Sequence, residues 1–250
     1  MGYVFDFKDA KDYHRWFQNP RTQLIIDLES RLMLDMLQPH QDETVLDIGC
    51  GTGLNLGRLI DQGIDATGID PSIYMLDFAK HHLGHRADLH HGYAEELPFE
   101  DNSFNHAIFM TSLEFVEDPN QAISEACRVA KDKVFIGTLN RYAIKSVHRR
   151  VQGIFRNTIY NRAKFFSIWE LKDIVRGILG NVPMKWRTTC QFPSVSDGWS
   201  LWLERSSLVQ HCPFGAFVGM VVTLVPRFRT RPLSLKIRPK RAPTPKTVAG

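Results

Sequence analysis

Short apolar runs alternate with amphipathic segments along the first 140 residues. The runs at 45–48, 66–70, 89–93, 104–110 and 133–139 have the length and composition of β-strands. Before and between these runs, apolar residues recur at spacings of three and four, which predicts helices at 22–37, 54–60, 71–80 and 119–130. Because strands and helices alternate, we predict an α/β fold with a doubly wound, mostly parallel sheet.

The pattern changes after residue 140. Residues 140–163 are basic and give no clear element, whereas residues 167–170 resemble a capping box, formed by Ser167 and Glu170, that opens a helix predicted at 171–179. Two further apolar or alternating runs predict strands at 184–192 and 217–225. Residues 227–250 contain eight Lys and Arg, four prolines and no acid, a composition that predicts a disordered tail.

A glycine-rich turn follows the first predicted strand. Gly49, Gly51 and Gly53 occupy alternating positions, and the helix at 54–60 begins directly after them. Glycines allow a tight turn and a close approach of the backbone, and the N–H groups at such a helix start face a ligand. The second strand ends in Asp70, where a carboxylate can bridge two ribose hydroxyls. The strand ends therefore predict a nucleotide-type site.

The spacing of the glycines discriminates between nucleotides. A dinucleotide site has the pattern G-x-G-x-x-G, but Leu54 and Leu56 occupy the position of its last glycine in the two registers. Asp47 stands two residues before the first glycine. An acid there would repel a pyrophosphate, whereas it suits the amino group and sulfonium of S-adenosylmethionine.

The sequence resembles class I S-adenosylmethionine-dependent methyltransferases in several motifs. Residues 45–53 are similar to the first motif of that family, and residues 68–72 to its ribose-binding strand end. Residues 94–104 resemble the A-E-x-L-P-F-x-D-x-S-F-D signature of the subgroup that contains ubiquinone and menaquinone methyltransferases, and residues 112–119 and 125–129 also match that subgroup. The resemblance implies methyl transfer to a small-molecule or lipid-like acceptor with S-adenosyl-L-methionine as cofactor.

The resemblance also implies the organisation of the chain. We expect a Rossmann-like sheet that finishes in an antiparallel C-terminal strand pair. The segments would be an N-terminal helical lid at 1–40, a methyltransferase domain at 41–226 with a basic substrate-cover insertion at about 140–166, and the tail at 227–250.

Positions of the cofactor contacts follow from the same resemblance. The glycine turn would hold the methionine part, Asp70 the ribose, and Ala94 with its neighbours the edge of the adenine. The predicted cofactor-binding residues are Asp47, Gly49, Cys50, Gly51, Gly53, Asn55, Asp70, Pro71, Ser72, Tyr93, Ala94, Glu95, Thr111 and Leu113. The chain departs from the family where Tyr93 and Asn105 stand in place of Asp, and Phe115 in place of a frequent His.

The sequence identifies the residues that would contact the methyl acceptor less clearly than those that would bind the cofactor. Tyr13, Trp16 and Phe17 either pack as core aromatics or close the site as a lid together with Arg21, and Asn140 and Arg141 are candidate substrate contacts. A sulfonium methyl is already activated, so placement of the nucleophile supplies much of the acceleration. We therefore assign no catalytic residue; the candidates for a base are Tyr13, His14 and Glu114.

Charge is distributed unevenly along the chain. Residues 1–140 carry 11 Lys and Arg against 23 Asp and Glu, whereas residues 141–250 carry 20 against 4. The basic segment 141–187 would bind an anionic acceptor, dock on an anionic membrane to reach a lipid-soluble acceptor such as a quinone, bind RNA, or form only a solvated face. We do not expect nucleic acid as a partner, because no added RNA-binding domain is visible.

Composition narrows the protein class further. Hydrophobic content of 43% and charged content of 23% are ordinary for a soluble globular protein. The sequence shows neither a signal peptide nor an apolar run of about 20 residues, so we expect a cytoplasmic protein, with peripheral membrane contact left open. The spacing of Cys50, Cys127, Cys190 and Cys212 predicts reduced thiols and no metal site, and we expect the histidines to lie on the surface (His81, His82, His85, His90 and His91).

Two alternatives to a small-molecule methyltransferase remain open at this point. A binding protein could keep the cofactor site and act as a sensor or assembly factor without catalysis. An RNA methyltransferase could use the basic C-terminal half. Neither alternative changes the predicted fold or the predicted cofactor site.

Overall fold

A computed structural model describes residues 2–143, 162–191, 202–204 and 206–224, apart from the side chain of Arg21. The helices are α1 (Phe7–Phe17), α2 (Pro20–Leu37), α3 (Leu54–Ile60), α4 (Ile73–Leu83), α5 (Pro119–Val129), α6 (Ile168–Leu179) and α7 (Ser207–Gln210). The strands are β1 (Thr44–Ile48), β2 (Asp65–Asp70), β3 (Asp88–His91), β4 (Phe104–Met110), β5 (Ala130–Leu139), β6 (Met184–Thr189) and β7 (Phe217–Thr223).

These seven strands form a single sheet in the order β3-β2-β1-β4-β5-β7-β6. Strands β1 to β5 pair in parallel, and β7 pairs antiparallel with both β5 and β6. The predicted doubly wound, mostly parallel sheet with an antiparallel C-terminal pair is therefore confirmed. The strand order reverses between β1 and β4, and ligands of open α/β sheets bind outside the carboxyl ends of the strands at such a switch point.

Helices cover both faces of the sheet and bury two separate apolar clusters. On one face, α5 and α6 pack through residues such as Ile123 and Leu171 against the side chains of β4, β5 and β7. On the other face, α2, α3 and α4 contribute residues such as Met33, Leu56 and Leu83. The central strands are buried on both faces of the sheet, and their sequences are therefore nearly continuous apolar runs.

Side-chain caps determine where several helices begin. Asp6 caps α1, Ser72 caps α4 and Asp118 caps α5, each by accepting from a backbone N–H in the first turn. Ser167 likewise accepts from the Glu170 N–H, so α6 begins at Ile168, three residues earlier than predicted. The Glu170 carboxylate pairs with Arg141 and does not complete a capping box.

Some predicted strand ends differ from the structure. Strand β3 stops at His91 and does not reach Tyr93, because its partner β2 ends at Asp70, opposite His91. Strand β6 stops at Thr189, since Cys190 has a φ of 61° that is incompatible with an extended chain. The last predicted strand ends at Thr223, and Val225 lies outside the described residues.

The division of the chain into lid, domain, insertion and tail stays a prediction. Most of the basic insertion predicted at about 140–166, and the whole tail at 227–250, lie outside the described residues.

The loop after β3 is fastened to α5 by Arg128. Its guanidinium donates to the carbonyls of Leu97 at 3.0 Å and Phe99 at 2.8 Å, and it pairs with Glu125 at 2.7 Å and Asp101 at 2.9 Å. Glu125 in turn accepts from the Leu97 N–H at 3.0 Å. Arg128 therefore holds the loop that directly follows the predicted adenine segment.

We expect Arg128→Met to lower the free energy of unfolding by about 1–3 kcal/mol, because two loop carbonyls and a half-buried carboxylate lose their donor. Urea unfolding followed by circular dichroism measures the change. The matched control is Arg86→Met, whose pair with exposed Asp61 is worth about 0–1 kcal/mol. Equal losses in the two variants would contradict the role assigned to Arg128.

Candidate functional site

A cavity of about 170 Å³ opens at the carboxyl ends of the central strands. One end is formed by the glycine turn after β1, by the end of β2 and by the segments that follow β3 and β4. The other end is formed by the N-terminal segment, α1, α2 and the turn around Phe115. We call these the turn end and the aromatic end. The cavity thus lies at the switch point of the sheet.

The glycine turn adopts a conformation that other residues rarely accept. Gly49, Gly51 and Gly53 have φ values of 75°, 53° and 77°, and Gly53 forms the start of α3. The N–H groups of Gly49 and Cys50 both donate to the Ile69 carbonyl, at 2.7 and 3.1 Å. A Cβ on Gly49 would overlap the side chain of Ser112. The turn is therefore packed tightly between β2 and the segment after β4.

Asp70 connects the turn to the start of α4. Its Oδ2 accepts from the Gly51 N–H at 2.9 Å, and its Oδ1 accepts from the Ser72 N–H at 2.8 Å. Burial raises the pKa of Asp70 to about 6, although these two hydrogen bonds act in the opposite direction. Asp70 lines the cavity, so its carboxylate can accept further hydrogen bonds from a ligand.

Asp47 is buried behind the glycine turn, and no hydrogen bond from the described residues compensates the loss of water around its carboxylate. The side chain is 1% exposed, and neither carboxylate oxygen has a hydrogen-bond partner among the described residues. Burial, followed by the charge of Asp70, raises the pKa of Asp47 to about 8. An uncompensated buried acid is costly to the fold, and such a group is a frequent mark of a binding site.

The structure brings most of the predicted cofactor residues to the turn end. Those that line the cavity are Gly49, Cys50, Gly51, Asn55, Asp70, Pro71, Tyr93, Ala94, Glu95 and Thr111. The other four, Asp47, Gly53, Ser72 and Leu113, do not line it; each is buried and adjoins a lining residue in the chain. Glu95 also has a structural contact, because its Oε1 accepts from the Glu117 N–H at 2.8 Å.

Asn140 and Arg141 lie away from the lining. The Asn140 side chain is 1% exposed and donates to the carbonyls of Pro213 and Gly215 at 2.7 and 2.8 Å. Arg141 donates to the Phe165 carbonyl at 3.0 Å and pairs with Glu170 at 2.9 Å. Both side chains therefore connect β5 to neighbouring segments, and the described structure does not bring them to the cavity. The side chain of Arg21 lies outside the described residues.

The predicted aromatic residues form the wall of the aromatic end. Tyr13, Trp16 and Phe17 all line the cavity, and Trp16 is 40% exposed. Their position at the cavity wall favours the lid interpretation over burial in the core. Among the candidate bases, Tyr13 reaches the lining, whereas His14 stacks on Phe78 with centroids 4.7 Å apart.

Sequence reasoning missed the N-terminal strap, residues 2–5, as part of the site. The Tyr3 N–H donates to the Phe115 carbonyl at 2.8 Å, and the Phe5 carbonyl accepts from the Ser72 hydroxyl at 2.7 Å. The strap thus crosses the cavity and adds the rings of Tyr3 and Phe5 to its wall. The density of aromatic residues in the first seventeen positions was the available signal.

Glu29 is a second residue that the sequence did not reveal. It lines the cavity from α2, one helical turn after Ile25, which lines it too. Glu29 is the single charged residue of the described lining at the aromatic end. In the sequence it is an ordinary acid within an amphipathic helix, so only the packing of α2 over the strand ends identifies it.

The turn end fits S-adenosylmethionine chemically. Asp70 presents acceptor oxygens suited to ribose hydroxyls, and the unpartnered carboxylate of Asp47 suits a nearby cationic group. The described residues that line the cavity include no Lys, Arg or His that would pair with a pyrophosphate, whereas the lining does include the carboxylate of Asp70. The lining therefore favours a cationic cofactor over a dinucleotide.

The described residues contain no cluster of His, Cys, Asp and Glu arranged to bind a metal ion. Within the same residues, no helix combines the length and the apolar character needed to cross a bilayer. The five histidines at positions 81, 82, 85, 90 and 91 are exposed, as predicted.

The chain is similar to known methyltransferases. A family model described as "Methyltransferase domain" matches residues 46–136. A ubiquinone biosynthesis O-methyltransferase of Nitrosomonas europaea is 33% identical over 180 residues, which cover 65% of this chain and 76% of that protein. An uncharacterised methyltransferase of Mycobacterium bovis is 38% identical over 98 residues, and this match spans only 40% of the relative.

A solved structure is similar over most of the chain. A protein of Thermotoga maritima, described as an S-adenosylmethionine-dependent methyltransferase and possible histamine N-methyltransferase, has a TM-score of 0.66 and 26% identity. The match covers 87% of this chain and 96% of that one.

Without cofactor, we expect the free energy of unfolding to fall as the pH rises from about 5 to about 8. Burial raises the pKa of Asp47 and Glu114 to about 8, above the ordinary values of 3.8 and 4.5, so the folded state holds protons that the unfolded state has released. Asp47→Asn should flatten the profile and stabilise the protein at pH 8 by about 1–3 kcal/mol. Urea unfolding across this range tests it, and superimposable profiles for the two proteins would contradict it.

Proposed function

Because this chain belongs to the S-adenosylmethionine-dependent methyltransferases, we propose that it transfers a methyl group to a small, largely apolar acceptor bound at the aromatic end of the cavity. S-adenosylmethionine is the cofactor, and when bound it supplies an activated methyl group on a sulfonium. The proposal concerns the acceptor and the residues that receive it.

The observation that carries the proposal is the continuity of the cavity. A single space connects the glycine turn and Asp70 with the rings of Tyr13, Trp16 and Phe17. A molecule at the aromatic end would therefore lie next to a cofactor at the turn end. Holding a nucleophile in line with an activated group supplies a large part of the acceleration in such a transfer.

The wall of the aromatic end supports an acceptor of small size. The strap at residues 2–5 and helix α1 line this end, and hydrogen bonds from Tyr3 to Phe115 and from Ser72 to Phe5 fix the strap. An enclosed, mostly apolar space suits a ring-sized organic molecule or the head of a lipid-like one. Exclusion of water by the same wall would protect the reacting centre.

Different residues would bind the ribose, the amino group and the adenine of the cofactor. Asp70 would bind the ribose hydroxyls, since its carboxylate is oriented by the Gly51 and Ser72 N–H groups. Asp47 would stabilise the amino group of the methionine part, directly or through water. Tyr93 and Ala94 would lie against the adenine.

The names of the relatives support a small acceptor. The Nitrosomonas protein acts in ubiquinone biosynthesis as an O-methyltransferase, and the Thermotoga protein is described as a possible histamine N-methyltransferase. The two names imply different accepting atoms, oxygen and nitrogen. We therefore extend to this chain only the class of small organic acceptors.

Gly51→Ala is expected to weaken binding of S-adenosylhomocysteine by at least about tenfold. Gly51 has a φ of 53°, lines the cavity and has no protein atom within 4 Å of the position of a Cβ, so the added methyl group would occupy ligand space. The matched control is Gly84→Ala, which has a φ of 61° and equally open surroundings but does not line the cavity. Isothermal titration calorimetry measures both affinities.

Both variants should lose about 1–3 kcal/mol of stability, because each forces an alanine to adopt a positive φ. Equal affinities in the two variants would contradict the assignment of the turn. Activity is tested by incubating the protein with methyl-labelled S-adenosylmethionine and cell extract. Cofactor binding without label in any small-molecule fraction would refute methyl transfer to a small acceptor.

A further inference from the structure

We propose that the side-chain amide of Asn55 binds the carboxylate of the methionine part of S-adenosylmethionine, and that Ser30 is a positioning residue that orients this amide. The inference deepens the proposed function and rests on it for the identity of the cofactor. It goes further because it assigns a binding group to the negative charge of the cofactor. It also assigns a role to Ser30, which does not line the cavity.

The methionine part of the cofactor carries an ammonium group and a carboxylate on the same carbon atom. The unpartnered carboxylate of Asp47 suits the ammonium group, whereas the carboxylate needs hydrogen-bond donors. The described lining contains acids, including Asp70, but no Lys, Arg or His. Among these residues, the available partners for the carboxylate are therefore neutral N–H and O–H groups.

Most backbone N–H groups of the glycine turn already have acceptors inside the protein. The N–H groups of Gly49 and Cys50 donate to the Ile69 carbonyl. The Gly51 N–H donates to Asp70, and the Gly53 N–H donates to a carbonyl of the turn itself. Four of the five N–H groups from 49 to 53 are thus in use, so the turn backbone alone offers a carboxylate few donors.

Two hydroxyl groups of the lining are also in use. The Thr111 hydroxyl donates to the Met110 carbonyl at 2.7 Å. The Ser112 hydroxyl donates to the Ile48 carbonyl at 2.5 Å. A hydroxyl has a single hydrogen, so neither group keeps a donor for a ligand. Thr52, which lines the cavity as well, can supply at most one further donor.

The amide of Asn55 retains both of its N–H donors. Asn55 lies in the first turn of α3, directly after the glycine turn, and it lines the cavity. Its Oδ1 accepts from the Ser30 hydroxyl at 2.8 Å. Its Nδ2, at the other corner of the planar amide, has no acceptor among the described residues. Asn55 therefore offers two donors at the turn end.

Ser30 fixes which end of the amide is available to a ligand. It lies on α2 and is 1% exposed, so its hydroxyl needs an acceptor within the protein. A helical serine usually donates to the carbonyl four residues earlier, here that of Ile26. That carbonyl already accepts from Arg58 Nη1 at 2.8 Å and, within the helix, from the Ser30 N–H. The hydroxyl hydrogen is therefore directed to Oδ1 of Asn55.

This orientation matters because the two ends of an amide have opposite polarity. With Oδ1 bonded to Ser30, the amide offers N–H groups to a ligand, which attract a carboxylate. A rotated amide would offer its oxygen instead, which repels a carboxylate. Asp47 precedes the glycine turn and Asn55 follows it, so the turn is flanked by one group suited to each charge of the methionine part.

The test compares S-adenosylhomocysteine with its decarboxylated analogue, S-adenosyl-3-thiopropylamine, which keeps the ammonium group and lacks the carboxylate. Titration calorimetry on the full chain measures both affinities. The wild-type protein should bind S-adenosylhomocysteine at least about tenfold more tightly than the analogue, because a hydrogen bond to a charged group is lost with the carboxylate. Equal affinities for the two ligands would overturn the proposal.

Asn55→Asp should abolish or reverse this preference. The Ser30 hydroxyl can still donate to one oxygen, but the other oxygen then carries a negative charge that repels the ligand carboxylate. The affinity for S-adenosylhomocysteine should fall at least about tenfold, whereas the cationic analogue should bind at least as tightly as it does to the wild-type protein. Equal weakening of both ligands, or an unchanged preference, would contradict the role of Asn55.

Ser30→Ala should reduce the preference for S-adenosylhomocysteine by about threefold, because the amide of Asn55 can then rotate. The matched control is Arg58→Met, which removes another contact between α2 and α3, to the Ile26 carbonyl and Asp27, without touching Asn55. This control should leave the preference unchanged. Thermal unfolding of each variant verifies that the fold is intact. A purely structural role of Ser30 would weaken both ligands equally, and that result would refute its role as a positioning residue.

The outcomes separate this inference from the proposed function. If S-adenosylhomocysteine binds and a methyl group is transferred, but Asn55→Asp keeps the preference for the carboxylate, the inference alone is wrong. If S-adenosylhomocysteine does not bind to the wild-type protein, the proposed function fails together with the inference.

Discussion

The site depends on one buried carboxylate that accepts from two backbone segments. Asp70 at the end of β2 receives the N–H of Gly51 in the first turn and the N–H of Ser72 at the start of α4. The two contacts fix the turn after β1 relative to the turn after β2. Ser72 also caps α4 and donates to the Phe5 carbonyl, so the strap and the aromatic wall are positioned by the same group. This junction therefore connects the turn end of the cavity to the strap at its aromatic end.

The cavity is bordered by acids that the fold leaves incompletely compensated. Asp47 has no partner for either oxygen among the described residues, and Glu114 has a partner for only one. Burial raises the pKa of both carboxyl groups. Near neutral pH the free energy of unfolding is therefore lower than it would be if both groups had ordinary pKa values. A cationic cofactor at the turn end would relieve the part of that destabilisation that comes from Asp47. Binding of the cofactor should therefore raise the free energy of unfolding.

The sequence predicted the sheet and the turn end well because both depend on local patterns. Apolar runs of four to seven residues located β1, β2, β4 and β5 to within a few positions. Gly49, Gly51 and Gly53 marked the turn because only glycine tolerates its φ values easily. The end of β3 was less predictable, since it depends on where the neighbouring strand β2 stops. Asn105 shows the same limit: its amide joins Thr44 to Asp132, partners that are distant in the sequence.

The aromatic end was decided by tertiary structure. Nothing local distinguishes Glu29 from other acids of an amphipathic helix, or Tyr3 from any aromatic residue near a chain start; both reach the cavity because α2 and the strap cross the ends of the strands. Conversely, Asn140 and Arg141 were plausible contacts by position, but their side chains connect β5 to Gly215 and Glu170. The sequence by itself therefore determined the fold class, the glycine turn and the family, because backbone conformation and strand periodicity are local properties. Only the folded chain decided which charged and aromatic side chains line the cavity, because that depends on how distant segments pack.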